Sequence, residues 1–123
     1  MEHQTMSSME SGDFGMSTPV IVHEMSHQWW GDMITCKSWR DIWLNEGWAS
    51  YSEAIYYEAM QGRSAYINYM LGMQYFAGGT IYCQDTSSVG SIFSSRVYDK
   101  GAWAVHMLRG VLGDSVFFAC VDA

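Results

Sequence analysis

Two histidines separated by three residues are the feature of this 123-residue sequence that is best able to do chemistry. His23 and His27 flank Glu24, Met25 and Ser26, which gives the pattern H-E-x-x-H. Residues four apart lie on one face of an α-helix, so both imidazoles can reach the same metal ion. Glu24 follows the first histidine and can act as general base toward a water at that metal. Alone, the motif also occurs by chance, as two ordinary helix histidines.

A third metal ligand is required, because a catalytic zinc site of this kind has three protein ligands and one open position for water. Glu46 follows His27 after eighteen intervening residues and falls at the start of another predicted helix. Glu53 lies two turns further along the same helix face, where it can accept the free ring N–H of a ligand histidine. On spacing alone, a solvated helix carboxylate explains Glu53 equally well. A metzincin site is excluded, since it needs Gly at position 30 and His at position 33, which are Trp30 and Met33 here.

These runs resemble the gluzincin aminopeptidases of the aminopeptidase N family, a family that includes leukotriene hydrolase. The resemblance is carried by H-E-M-S-H-Q-W-W-G-D at residues 23–32 and by W-L-N-E-G-W-A at residues 43–49. It implies that His23, His27 and Glu46 bind one Zn²⁺ ion. It further implies that Glu24 is the general base that activates the water for attack on the scissile carbonyl.

Two shorter segments extend the resemblance. The run V-Y-D-K-G-A at residues 97–102 is similar to the family segment whose Tyr contacts the transition state, which implies that Tyr98 stabilises the oxyanion. Without that context, Tyr98 reads as an aromatic packed at the start of a helix. The run M-E-H-Q-T at residues 1–5 is similar to the end of the exopeptidase motif G-x-M-E-N, although His3 replaces the Asn and the Gly-x is absent. The match implies that Glu2 binds the free α-amine of the substrate.

Helices are predicted to position these residues. A Thr-Pro pair at positions 18–19 is a helix-start signal, and each predicted helix is followed by glycine or begins at a capping residue. The fold class is therefore mainly α, with about four to five helices and a short strand or loop over residues 1–17. The helices are expected at residues 18–30, 45–61, 64–77, 97–112 and from Asp114 onward. The resemblance implies that they form part of a thermolysin-like zinc peptidase catalytic domain.

Composition limits the classes of partner. Thirteen acidic residues against six basic ones give a formal charge of −7, which argues against nucleic acid and favours cations. No stretch approaches the roughly 18 apolar residues of a membrane span. Residues 1–18 have neither the basic nor the apolar region of a signal peptide, so an export signal would have to lie outside this chain, and the sequence assigns no compartment. Cys36, Cys83 and Cys120 form no C-x-x-C pair, so a cysteine zinc site is not expected.

Three functions remain open from the sequence. The first is a zinc aminopeptidase that hydrolyses the N-terminal peptide bond of peptides with a free N-terminus. The second is a thermolysin-like endopeptidase, and the third is a zinc-binding segment that lacks turnover. Glu2 separates the first two, because an endopeptidase needs no anchor for an amine.

The chain is also expected to be a partial domain. Residues 1–123 begin inside the exopeptidase motif and end inside a predicted helix, so truncation at both ends is the expectation. Phe117, Phe118 and Val121 would then form an unfinished apolar face. That face should drive self-association unless it packs on the chain's own helices.

Overall fold

Five helices of eight residues or more run through the part of the chain that the computed structural model describes, residues 3–9 and 11–122. In chain order the elements are α1 (Thr18–Ser26), a 3₁₀ turn (Trp39–Asp41), α2 (Trp43–Gln61), α3 (Arg63–Gly72), the four-residue α4 (Val89–Ile92), a π-helical turn (Arg96–Lys100), α5 (Gly101–Leu112) and α6 (Asp114–Val121). Within these residues there is no strand, only an isolated bridge between Trp30 and Ile34. The mainly α fold class is confirmed. The strand considered for the N-terminal segment is not observed in its described residues, which form turns and bends.

Helix α1 is shorter than predicted. Ser17 rather than Thr18 is the N-cap, and the helix ends at Ser26 instead of Trp30. The reason lies in the turn that follows, where Gly31 has a φ of +137°. This backbone conformation lets the N–H of Gly31 donate to the carbonyl of Ile34 at 2.8 Å, and the N–H of Ile34 donate to that of Trp29 at 2.9 Å. Bonding within the turn therefore replaces further helix.

Helix α2 is the central element, since α1, α3, α5 and the π-helical turn all pack against it. It begins at Trp43, two residues before the predicted start. Asn45 is not its N-cap: the Asn45 side chain accepts a hydrogen bond from the backbone N–H of Cys36 at 3.0 Å. The loop before α2 is thus tied to the first turn of the helix.

The remaining helix boundaries also differ from the predicted ones. Helix α3 ends at Gly72 rather than at Ala77, which is exposed and lies outside the helix. The helix expected over residues 97–112 is divided between the π-helical turn and α5. The segment between the helices predicted at residues 64–77 and 97–112 contains α4, whose N-cap Ser88 accepts a hydrogen bond from the N–H of Ser91.

The main core lies between α2, α3, α5 and α6. Its buried residues are Tyr51, Ala54, Tyr66, Met70, Ala102, Val105 and Phe117. Phe118 and Val121 pack partly buried against the same core. The three residues expected to leave an apolar face open therefore pack on the chain's own helices. Self-association remains a prediction, but these three residues no longer give a reason for it.

Helices α2 and α5 approach most closely where Gly47 meets Gly101. Side chains at this crossing would separate the two backbones, so the glycine pair sets how near α5 and the preceding π-helical turn lie to the first turn of α2.

Among the described residues, no single helix is long and apolar enough to cross a membrane. The bent pair Val89–Leu112 and Asp114–Val121, with 120° between its parts, passes that test by length and composition.

Candidate metal centre

Three side chains from α1 and the start of α2 converge on one point. The Nε2 atom of His23 lies 3.2 Å from Oε2 of Glu46, and Nε2 of His27 lies 3.3 Å from the same oxygen. One ligand atom from each residue lies within 4.8 Å of the others. Tetrahedral zinc with bonds of about 2.0–2.2 Å requires its ligand atoms to be about 3.3–3.6 Å apart. The two nitrogen–oxygen distances, 3.2 and 3.3 Å, are close to the lower end of that range.

The outer nitrogen of each ring shows how the inner one is oriented. Nδ1 of His27 lies 2.8 Å from the carbonyl oxygen of Trp30, and Nδ1 of His23 lies 2.7 Å from Oε1 of Glu53. A carbonyl or carboxylate oxygen can only accept, so each Nδ1 carries its proton. The lone pair of each Nε2 is then left facing Glu46. Such a convergence of electron pairs requires a cation, either a metal ion or a second proton on the ring.

The ionisation of the cluster follows the same contacts. Burial disfavours the charged form of His23, but hydrogen bonds to Glu46 and Glu53 outweigh it and raise the pKa of His23 to about 9. Burial likewise opposes protonation of His27, yet Glu46 raises the pKa of that ring above its ordinary value. Burial also disfavours the Glu46 carboxylate, but the two histidines hold the pKa of Glu46 near 2. Protein groups alone therefore keep Glu46 negative and favour positive charge beside it.

Gly31 shapes the wall behind His27. A Cβ built on Gly31 would lie 3.2 Å from Nδ1 of His27 and 3.4 Å from Nδ2 of Asn45. His27 is buried, with 1% of its surface exposed. The left-handed backbone at Gly31 thus lets the chain pass close behind the ring and present the Trp30 carbonyl to it.

Glu53 makes two contacts in the structure. One carboxylate oxygen accepts from Nδ1 of His23, and the other accepts from the hydroxyl of Tyr69 on α3. The residue is buried, with 9% of its surface exposed. Of the two interpretations left open by spacing, the solvated carboxylate does not fit this position.

Tyr98 and Glu24 lie beside the cluster. The Tyr98 ring is centred 5.8 Å from the His23 ring, with 35° between the ring planes. Tyr98 is half-buried and packs against a second small core with Ile42 and Val97, so it is not fully enclosed. Glu24 lies on α1 next to His23 and is also partly exposed. Neither residue belongs to the group of His23, His27 and Glu46 that could hold a metal ion.

Glu2 lies outside the described residues, but the segment after it does not. The side chain of Gln28 accepts from the N–H of Thr5 at 2.6 Å and donates to the carbonyl of His3 at 2.8 Å. Ser7 donates to the backbone carbonyl of Glu24 at 3.0 Å. Residues 3–7 are therefore hydrogen-bonded to α1 and to the turn that follows it.

A comparison with known families agrees with this geometry. The sequence-family model described as the peptidase family M1 domain matches residues 5–123 of the chain. The chain belongs to peptidase family M1. The resemblance to the aminopeptidase N family is confirmed, and the M1 match includes His23, His27, Glu46 and Tyr98 but stops short of Glu2.

Curated M1 relatives are similar over most of this chain. Endoplasmic reticulum aminopeptidase 2 of Homo sapiens is 31% identical in an alignment of 114 positions that covers 81% of this chain and 12% of that protein. The thyrotropin-releasing hormone-degrading ectoenzyme of Rattus norvegicus is 32% identical over 81% of the chain and 10% of its own length. Aminopeptidase N of Streptomyces lividans is 28% identical over 95% of the chain and 15% of its own length. The chain thus spans 10 to 15% of the length of these three relatives. No solved structure matches it.

Several residues around the candidate metal site were not indicated by the sequence. Tyr69 is distant from His23 in the chain, and no motif or spacing in the sequence connects the two residues. In the sequence, Gly31 is interpreted as a helix stop. Its position four residues after His27 is the signal that could have suggested a close approach of the backbone to the His27 ring. Gln28 and Asn45 carry no spacing signal, since their partners are backbone groups of loops.

Proposed function

We propose that this chain is the zinc-binding catalytic segment of an aminopeptidase, with one Zn²⁺ held by His23, His27 and Glu46. The single observation that carries the proposal is the approach of both Nε2 atoms to one oxygen of Glu46 at 3.2 and 3.3 Å. The names of the relatives support the choice of reaction, because several are aminopeptidases. In this proposal zinc supplies a Lewis acid that polarises the peptide carbonyl and acidifies water.

The chain's own residues then have distinct tasks. His23 and His27 donate their Nδ1 protons to Glu53 and to the Trp30 carbonyl, which holds both rings with Nε2 toward Glu46. Glu24 sits one residue after a ligand and is proposed to take the proton of the attacking water at its carboxylate, and to pass it to the leaving amine. Neither of these two proton transfers requires Glu24 to coordinate the metal.

Tyr98 is proposed to donate its hydroxyl proton in a hydrogen bond to the oxygen of the reacting carbonyl. Its place 5.8 Å from the His23 ring supports this, because the hydroxyl end of the ring can approach a group bound beside the ligands. Glu2 is proposed to pair with the substrate's N-terminal ammonium and so to set cleavage after the first residue. The similarity of residues 1–5 to the end of the exopeptidase motif supports this role.

Hydrolysis of an amino-acyl chromogenic substrate tests the proposal. Activity should depend on zinc, and acetylation of the substrate amine should remove most of it. Equal cleavage of free and acetylated substrates would instead indicate an endopeptidase, the second function left open by the sequence.

Glu24→Gln is the companion variant, with Asp13→Asn in the exposed N-terminal loop as its control. The amide is nearly isosteric but cannot take a proton, so Glu24→Gln should bind zinc like the parent and lose hydrolysis. Retained turnover in Glu24→Gln would show that Glu24 is not the base. Zinc binding without hydrolysis in the parent chain would favour the third function, a zinc-binding segment without turnover.

A further inference from the structure

We propose that Tyr69 is a positioning residue for the metal centre, acting through Glu53 on His23. The proposal rests on the zinc centre proposed above and deepens it. It adds a residue from α3, an element that carries none of the motif residues.

This inference rests on the two oxygens of the Glu53 carboxylate, which have different hydrogen-bond partners. Oε1 lies 2.7 Å from Nδ1 of His23, while Oε2 accepts from the hydroxyl of Tyr69. A carboxylate rotates about its terminal bond with little preference. A donor fixed on Oε2 therefore sets the plane of the group and aims Oε1 at the ring of His23.

Tyr69 is itself held in place. Its ring stacks on that of Tyr57 from α2, with centroids 4.8 Å apart and 29° between the planes, and it packs against the main core. Burial and the neighbouring Glu53 carboxylate both raise the pKa of Tyr69, so its hydroxyl stays a donor. The hydroxyl thus reaches Glu53 from a side chain whose rotamer is fixed by packing.

A second carboxyl group, that of Asp99, also interacts with Glu53, the partner of the Tyr69 hydroxyl. Burial and the negative charge of Glu53 both raise the pKa of Asp99, which follows Tyr98 in the π-helical turn. Glu53 therefore interacts through its charge with a second carboxyl group as well as with His23. The hydrogen bond from Tyr69 stabilises the charged form of Glu53 in this environment.

Zinc affinity measured by competition with a chromophoric chelator tests the inference on the 123-residue chain. Tyr69→Phe keeps the ring and its stacking and removes only the hydroxyl. Loss of an outer partner of a ligand typically weakens metal binding about 10- to 100-fold, so Tyr69→Phe should raise the zinc Kd about tenfold. Tyr57→Phe, which removes a hydroxyl from the ring stacked on Tyr69, is the matched control and should stay within about twofold.

Two further measurements distinguish a positioning role of Tyr69 from a purely structural one. In a Glu53→Ala background the hydroxyl has no carboxylate to hold, so Tyr69→Phe should change the zinc Kd by less than about twofold. The zinc-induced rise in melting temperature should be smaller in Tyr69→Phe than in the parent, whereas a structural role would lower the metal-free and zinc-loaded values equally.

The outcomes distinguish this inference from the proposed function. A parent chain that binds no zinc overturns both. A parent that binds zinc, with Tyr69→Phe equal to Tyr57→Phe, overturns the role of Tyr69 and leaves the zinc centre intact. An undiminished effect of Tyr69→Phe in the Glu53→Ala background also overturns it, because the hydroxyl would then act without Glu53.

Discussion

Gly47 and Gly101 meet backbone to backbone, since a Cβ built on Gly47 would lie 2.8 Å from the Cα atom of Gly101 and 2.7 Å from its carbonyl carbon. Real Cβ atoms do not approach other atoms so closely. Glu46 immediately precedes the first glycine, and Tyr98 lies in the turn before the second. The crossing therefore helps to set how close Tyr98, the proposed oxyanion donor, lies to Glu46, the proposed metal ligand on α2.

Gly101→Ala should destabilise the fold, because the added methyl must push α2 and α5 apart. Overpacking of this kind costs about 1–3 kcal/mol, measurable as a lower free energy of unfolding in urea. Gly110→Ala is the control, since it lies in the same helix and its Cβ would meet nothing within 4 Å. That variant should gain about 0.5–1 kcal/mol from helix propensity. Equal effects of the two variants would show that the crossing is not tightly packed.

Gly31→Ala should weaken zinc binding about tenfold, a loss in the range seen for outer partners of metal ligands. Its Cβ would press on the His27 ring at 3.2 Å, and its φ of +137° is unfavourable for alanine. Gly12→Ala isolates the second effect, because Gly12 has a φ of +118° and open space around it. Competition with a chelator should show a raised zinc Kd in Gly31→Ala only. A matching rise in Gly12→Ala would mean that backbone strain alone is responsible.

Tyr98→Phe should lower kcat by about 10²–10³ with little change in KM, the pattern of a donor that acts in the transition state. Steady-state kinetics on an amino-acyl substrate measures both constants in any form of the protein that is active. Tyr82→Phe, in the loop before α4, is the control and should keep parental kinetics. An unchanged kcat in Tyr98→Phe would assign the residue to packing.

Acid should weaken an ion pair that supports α5. Glu58 accepts hydrogen bonds from Arg109 at 2.6 Å and from Arg63 at 2.7 Å. Burial opposes the charge of Glu58, but these cations outweigh it and lower its pKa. The stabilisation is thus complete above the unfolded pKa of about 4.3 and disappears as pH falls through the lower folded pKa.

Glu58→Gln should accordingly cost about 1–3 kcal/mol at pH 7, because Arg109 is buried and would lose one of the two carboxylates, Glu58 and Asp114, with which it pairs in the described structure. The difference from the parent should shrink below about pH 4. Urea unfolding of both proteins at pH 7, 5 and 3 measures this, and other titrating groups cancel in the comparison. A difference that is independent of pH would show that the pair does not act through charge.

The sequence was most informative where chemistry is encoded locally. The spacing of His23 and His27 predicts one helix face, and the turn signals predict most helices within a few residues. Boundaries failed where tertiary contacts override local preference: Asn45 bonds a loop instead of capping α2, and Gly31 bonds within a turn instead of closing a longer helix.

Contacts between distant segments could not be predicted. Tyr69 reaches Glu53 only because α3 folds back along α2, and no periodicity in either helix encodes that meeting. The same holds for Gly47 and Gly101, whose closeness depends on how two helices cross. Glu53 is an intermediate case, because its spacing from Glu46 suggested a contact with a ligand histidine but could not choose between that and solvent.

The X-ray absorption spectrum of the chain with one equivalent of zinc tests the central claim most directly. We expect tight binding of one zinc with nitrogen and oxygen ligands at about 2.0–2.2 Å, an imidazole scattering signature from two histidines, and loss of the site in a Glu46→Ala variant. Ligands at about 2.3 Å would indicate sulfur, and so a cysteine site instead. That result, or a zinc site unchanged in Glu46→Ala, would contradict the account.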